Sequence, residues 1–148
     1  MKRFFAILTI AFSLMSFNSF ANDETEVSKE ALQSFKSSFK NAAEVNWSVS
    51  SNYFKAEFTM NGQYVSAYYS AEGKMIALTR NINSLQLPIT LQASLKKDYE
   101  NYWISDLFEV ANDEGTSYYI TLEDADTKLV LKSTSNADWI NFKKQRKS

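Results

Sequence analysis

Between Tyr53 and Thr79 the chain alternates aromatic and polar residues with period two, and the dipeptide Asn61-Gly62 interrupts the alternation. Such a pattern is a strand signature. Asn-Gly joins two strands in a two-residue turn because both residues accept positive φ. The short turn dictates the pairing: Met60 opposite Gln63, Phe58 opposite Val65, Ala56 opposite Ala67 and Phe54 opposite Tyr69. That set is predicted to face the core. The other side then carries Tyr53, Lys55, Glu57, Thr59, Tyr64, Ser66 and Tyr68. A third run, Lys74 to Thr79, follows Ala71-Glu72-Gly73 and extends the meander.

The first 21 residues have the three parts of a cleavable export signal. Lys2 and Arg3 are the positive start, Phe4 to Met15 the apolar run, and Ser19-Phe20-Ala21 the small-x-small site. The apolar run is shorter than the ~20 residues that span a bilayer. No cysteine follows it, which excludes the bacterial lipoprotein anchor. The expected product is a periplasmic or secreted domain of 127 residues, Asn22 to Ser148, with no stable membrane insertion after cleavage.

In that product, the 16 basic residues less Lys2 and Arg3 stand against 17 acidic ones, a net charge of −3. There is no electrostatic ground for nucleic acid as a partner. Cysteine and histidine are both absent from the whole chain. Without them there is no disulfide, no thiol chemistry, no imidazole base and no common transition-metal ligand. No metal or other cofactor is expected. Glu123, Asp124 and Asp126 lack the glycine and distal glutamate of a calcium loop and read as a solvated turn.

Helix signals stand at two places. Leu32, Phe35, Phe39, Ala42 and Ala43 form an apolar stripe over 28–43, with Ser28 at its start and Glu30 in the first turn. Pro88, the chain's one proline, opens a second helix over 89–100 whose apolar face is Leu91, Leu95 and Tyr99. Further strands are predicted at 44–49, 102–105, 106–110, 118–123 and 128–132. The basic end, Trp139 to Ser148, reads as a short helix or a fraying tail.

The second half reads as a copy of the first. Phe35, Phe39, Ala43 and Trp47 match Leu91, Leu95, Tyr99 and Trp103 at a shift of 56; Phe54, Ala56 and Tyr64 match Phe108, Val110 and Tyr118 at a shift of 54. The expected fold is therefore α+β, a tandem repeat of one helix plus about four antiparallel strands. Its half-repeats, about 28–82 and 84–135, form one sheet with both helices on one face. Trp47, Trp103, Phe54, Phe58 and Phe108 are expected in the core. One conflict stands: Tyr118, Ile120 and Leu122 form an apolar set, whereas their counterparts Tyr64, Ser66 and Tyr68 face outward. Either the acidic turn shifts the register by one residue or one face is misassigned.

Val45-Asn46-Trp47, Phe54-x-Ala56-x-Phe58 with Asn61-Gly62, Tyr68-x5-Lys74-x-Ile76, Leu87-Pro88 and Tyr118-x-Ile120-x-Leu122 together resemble the PepSY-like family. These are small exported bacterial proteins also described as beta-lactamase-inhibitor-like. The resemblance implies an arrangement like that of beta-lactamase inhibitor protein, with one sheet face open and concave. It also implies a non-catalytic role in restraining or binding another exported protein. This sequence departs from the secreted inhibitor, which has disulfides, in having no cysteine. Tyr53, Lys55, Glu57, Tyr64 and Tyr68 are the candidate protein-binding residues, aromatic anchors with a charged rim. The alternative is a carrier of a small apolar ligand, held between helices and sheet. An enzyme would need a serine with a desolvated lysine, for which the chain shows no motif.

Overall fold

The computed structural model describes residues 26–134 and 138–147; the expected signal, 1–21, lies outside them. Ser28 begins the described fold as a helix cap, its hydroxyl accepting from Ala31 N at 3.1 Å. This satisfies one of the amides that a helix start leaves without a partner. Helix α1 runs Lys29–Ser38 and is followed by strands β1 (Ala43–Val49), β2 (Phe54–Met60), β3 (Gln63–Tyr69) and β4 (Met75–Asn81). A 3-10 turn, Ser84–Gln86, leads into α2 (Ile89–Asp98), then β5 (Trp103–Asn112), β6 (Gly115–Glu123), β7 (Thr127–Ser133) and β8 (Ile140–Arg146). All eight strands form one antiparallel sheet in chain order.

The β2–β3 hairpin has the pairing its turn predicts, from Met60↔Gln63 to Phe54↔Tyr69. Asn61 and Gly62 both take positive φ, +52° and +75°. The ladder then carries the same alternation across the sheet. Ala67 pairs with Leu78, Leu78 with Ala111, Leu107 with Ile120, and Ile120 with Leu131. Two apolar clusters lie along these rows. Ala31 and Phe35 of α1 pack with Ala56, Phe58, Val65, Ala67 and Tyr69. Leu91 of α2 packs with Leu107, Tyr118, Ile120, Leu122, Leu129 and Leu131. Between the clusters Arg80 bridges Glu109 with two bonds, Nε to Oε1 at 3.0 Å and Nη2 to Oε2 at 3.2 Å, and donates to Gln63 at 3.2 Å.

The second half differs from its expected pattern in three ways. Residues 102–110, read as two short strands, lie largely in the single long strand β5, bent by a bulge between Ile104 and Asp106. The C-terminal segment, read as a helix or a frayed tail, is strand β8, and three basic side chains, Lys143, Lys144 and Arg146, mark it as an edge strand. The fourth strand after α2 is therefore β8, which makes β6 the positional counterpart of β2 rather than of β3. This removes the register conflict: Tyr118, Ile120 and Leu122 belong to the α2 cluster.

The residue matches at a shift of 54 are not reproduced. Phe54 packs on the α1 cluster, whereas Phe108 alternates with the buried Leu107 and stacks on Tyr119 across the other face. Trp103, expected in the core, is 52% exposed. Its strand position places it opposite Glu123, on the same side as Phe108 beyond the bulge.

Candidate binding face

Residues that alternate with the core positions make up the second sheet face. On β2 and β3 these are Lys55, Glu57, Thr59, Tyr64, Ser66 and Tyr68, cross-paired Lys55↔Tyr68, Glu57↔Ser66 and Thr59↔Tyr64. The sequence placed all five candidate residues here, and the pairing brings Lys55, Glu57, Tyr64 and Tyr68 together. Tyr53 joins them through its ring, edge-on to Tyr68 with centroids 5.4 Å apart.

Their exposure is not uniform. Tyr64 is 53% exposed, while Tyr68, read as a second outward anchor, is only 1% exposed. Neighbouring side chains cover it. Lys55 Nζ sits 5.9 Å from the Tyr68 ring centroid and pairs with Glu57, and the Lys55 side chain is itself only 14% exposed. Burial pushes the Tyr68 hydroxyl up to about 12, the Thr79 hydroxyl acting in the opposite direction. Tyr68 is thus the floor of the site rather than a contact residue.

Tyr64 stands in an acidic frame that sequence reasoning missed in part. Its hydroxyl is raised by desolvation and then by the negative charges of Glu57 and Glu44. Glu44 comes from the edge strand β1, where a bulge between Ala43 and Asn46 interrupts the register and Glu44 takes φ +54°. Thr59 Oγ1 pins this bulge, 3.3 Å from both Ala43 O and Glu44 Oε2. A bulge re-aims a side chain without changing the apolar pattern, so no sequence signal announced Glu44.

A second aromatic group lies on the same face further along the sheet. Phe108 and Tyr119 stack at 5.3 Å with rings nearly parallel, Phe142 meets Tyr119 edge-on at 5.6 Å, and Lys132 Nζ lies 5.3 Å over the Tyr119 ring. It escaped the sequence reading because Phe108 was assigned inward and β8, which supplies Phe142, was not recognised.

What this face can do chemically is bind. It has rigid rings for apolar contact, paired charges for a rim, and the Tyr64 hydroxyl for hydrogen bonding. Glu123 and Asp124, weighed above as half a calcium loop, are engaged otherwise. Glu123 pairs with Lys147 and Lys128, and Asp124 Oδ1 accepts from Asp126 N and Thr127 N. Among the described residues no group of three or more acidic side chains is placed to hold a metal. Between α2 and the sheet is an open groove of about 270 Å³, lined in part by Leu95, Tyr99, Tyr102, Ile104 and Leu122.

No family model matches the chain, and no curated protein does. Solved structures do. A BLIP-like protein of Bacteroides fragilis is 18% identical with a TM-score of 0.69, over 82% of this chain and 86% of that one. A DUF2874 family protein of Bacteroides ovatus is 21% identical with a TM-score of 0.71, over 84% and 89%. A candidate periplasmic protein of Bacteroides eggerthii is 15% identical with a TM-score of 0.71, over 82% and 89%. The chain shares their fold, an α+β arrangement of two helices and one eight-stranded antiparallel sheet. Among the described residues no helix is long and apolar enough to cross a membrane.

Proposed function

We propose that this chain, with the fold of the BLIP-like proteins, is an exported, non-catalytic module that binds another exported protein through the face carrying Tyr64. The observation that carries the reading is one exposed ring and one buried ring on the same face of one strand, four residues apart with Ser66 between them. Tyr64 is offered to a partner, and Tyr68, held by Tyr53 and Lys55, supports the sheet beneath it. A rigid aromatic loses little entropy on contact, which makes it an effective anchor. The PepSY-like resemblance, the two-unit plan of helix plus four strands and a common face for both helices belong to this same reading. The register supports the common face, because the rows beneath Phe35 and beneath Leu91 are continuous across β4 and β5. Within it, the partner is an envelope or secreted enzyme that the module restrains. Fold alone does not carry that step.

The test is affinity capture by the purified chain from an envelope extract of its own source, repeated with Tyr64→Ser and with Glu57→Lys. Tyr64 is half exposed, and Glu57, the partner of Lys55, is partly exposed, so circular dichroism of each variant is compared with the parent to show that the fold is kept. A protein captured by the parent and lost by both variants supports the reading. Equal capture by all three removes this face. The carrier reading would place an apolar ligand in the groove beside α2. At about 270 Å³ and open to solvent, that groove falls below the ~300–1,000 Å³ of usual ligand sites.

A further inference from the structure

An asparagine side chain can close a five-membered ring onto the backbone nitrogen of the next residue. A Cβ on that next residue crowds the nitrogen, and glycine leaves it clear. Asn46, Asn81, Asn83 and Asn112 are followed by Trp47, Ile82, Ser84 and Asp113, and each has its side chain in a hydrogen bond. Asn61-Gly62, the chain's one Asn-Gly, differs on both counts, since among the described residues no hydrogen bond holds the Asn61 side-chain amide. Met60 pairs with Gln63 through their own main-chain groups, which leaves the Gly62 N–H outside the ladder. Both turn residues are exposed, and nothing lies within 4 Å of the place a Cβ would take on Gly62. The brake is the shape of the turn. The ring contains the Asn61 Cα–C bond and fixes rotation about it outside the range of a two-residue turn, so it closes from an opened tip. Met60 and Gln63, the last pair before the tip, are only half-buried, and local opening there needs far less than unfolding of the sheet.

We propose that Asn61-Gly62 is a self-modifying site whose one co-reactant is water, and that its product remodels the hairpin tip beside Tyr64. The Gly62 nitrogen gives up its proton and bonds to Asn61 Cγ, the Cγ–Nδ2 bond breaks, and ammonia leaves. Water then opens the resulting succinimide. Addition at the Asn61 main-chain carbonyl breaks the original peptide C–N bond and leaves an isoaspartyl link through Cγ, whereas addition at Cγ gives ordinary aspartate. Nothing is oxidised or reduced: one amide becomes one carboxylate, with ammonia released. The isoaspartyl link lengthens the turn by one backbone carbon. A two-residue turn sets its register at one length alone, so Met60↔Gln63 and the next pair, Thr59↔Tyr64, must shift. The new carboxylate adds to the negative charge that Glu57 and Glu44 already bring to this end of the face. Where Tyr64 is the binding anchor proposed above, an aged molecule presents that anchor differently from a new one; the modification itself does not rest on that reading.

The experiment incubates the chain, purified as the expressing cell processes it, at mildly alkaline pH and follows it by peptide mapping with mass spectrometry. Isoaspartate is read by enzymatic methylation of its carboxylate, and a synthetic peptide of residues 58–66 gives the rate without the fold. The fragment spanning Asn61 should gain the mass of amide-to-acid conversion, with isoaspartate among the products and a rate that rises with pH. Asn61→Gln, whose longer side chain would need a six-membered ring, should lose the product. In the isoaspartyl form, separated by anion exchange, the amide resonances of Thr59 and Tyr64 should shift while those of Leu129 and Leu131 stay in place. A folded chain that is unchanged over the time in which the free peptide converts overturns the proposal. So does conversion to aspartate alone, which bypasses the ring, or an isoaspartyl form whose Thr59 and Tyr64 resonances do not move. None of these readouts involves a binding partner, so failure of the Tyr64 reading leaves them untouched.

Discussion

Lys147 Nζ lies 2.9 Å from Glu123 Oε2 and, in the same pose, 4.6 Å over the ring of Trp103. It also donates to Asp124 O at 2.7 Å, while its backbone N donates to Asp126 O at 2.8 Å. One residue at the end of β8 therefore closes the β6–β7 turn and covers the exposed indole of β5.

That closure has a pH signature. The Lys147 hydrogen bond, followed by Ser105, lowers the Glu123 carboxyl from 4.5 to about 2. A carboxyl whose folded pKa lies below its unfolded one contributes stability in full above 4.5 and loses it as pH falls through about 2. The urea midpoint should fall across this window, and Glu123→Gln should be less stable above it and show a shallower fall. A variant curve parallel to the parent's would show that the latch does not couple to folding.

At the alkaline end the sign reverses. Burial raises both Tyr68 and Tyr69 from 10.0 to about 12. Their contribution is complete below pH 10 and disappears as pH rises through about 12. Among the described residues the Tyr69 hydroxyl meets no hydrogen-bond partner, whereas Tyr68 faces the Thr79 hydroxyl. Tyr69→Phe should therefore be neutral or stabilising by up to ~1 kcal/mol at pH 7 and should soften the alkaline unfolding. A loss of stability at pH 7 would mean that the hydroxyl is bonded in solution.

Two glycines separate conformational strain from steric clash. Gly62 takes φ +75° with open space around a would-be Cβ, whereas Gly73, at φ +79°, would place that atom 2.6 Å from the backbone C and O of Glu30. Gly62→Ala should cost ~1–2 kcal/mol, the left-handed penalty alone. Gly73→Ala should cost more, about 2–4 kcal/mol, because the start of α1 must move as well. Equal losses in chemical denaturation would show that α1 moves away freely.

Trp139 couples the last strand to α2, its Nε1 donating to Leu91 O at 3.2 Å from a half-buried position on the Leu91 cluster. Trp139→Phe should cost ~1 kcal/mol for the hydrogen bond, and Trp139→Ala ~3 kcal/mol with the packing included. Hydrogen exchange read at Leu129 and Leu131 should quicken in the alanine variant. Unchanged protection there would make β8 a separable appendage.

The local half of this architecture was legible in the residues. Asn61-Gly62 and the flanking alternation determined the β2–β3 pairing to the residue, and Ser28 and Pro88 marked both helix starts. A two-residue turn leaves one register, and a cap or an imino acid acts on its own few neighbours.

Relations between distant segments were decided by tertiary structure. The chain from Trp139 onward alternates only over Ile140-Asn141-Phe142-Lys143 before its run of basic and polar residues, yet it becomes β8 because β7 presents an edge to pair with and the Leu91 cluster accepts Trp139. Phe108 turned away from the α2 cluster because β5 pairs with β4 through Leu78↔Ala111 and Arg80↔Glu109, which fixes its faces from outside. Tyr68 reads outward by alternation, as it is, but its burial depends on Tyr53 and Lys55 arriving beside it. The sequence by itself determined which residues share a face, because alternation is a property of the backbone. Which of those side chains meet water was decided only when other strands came to lie against them.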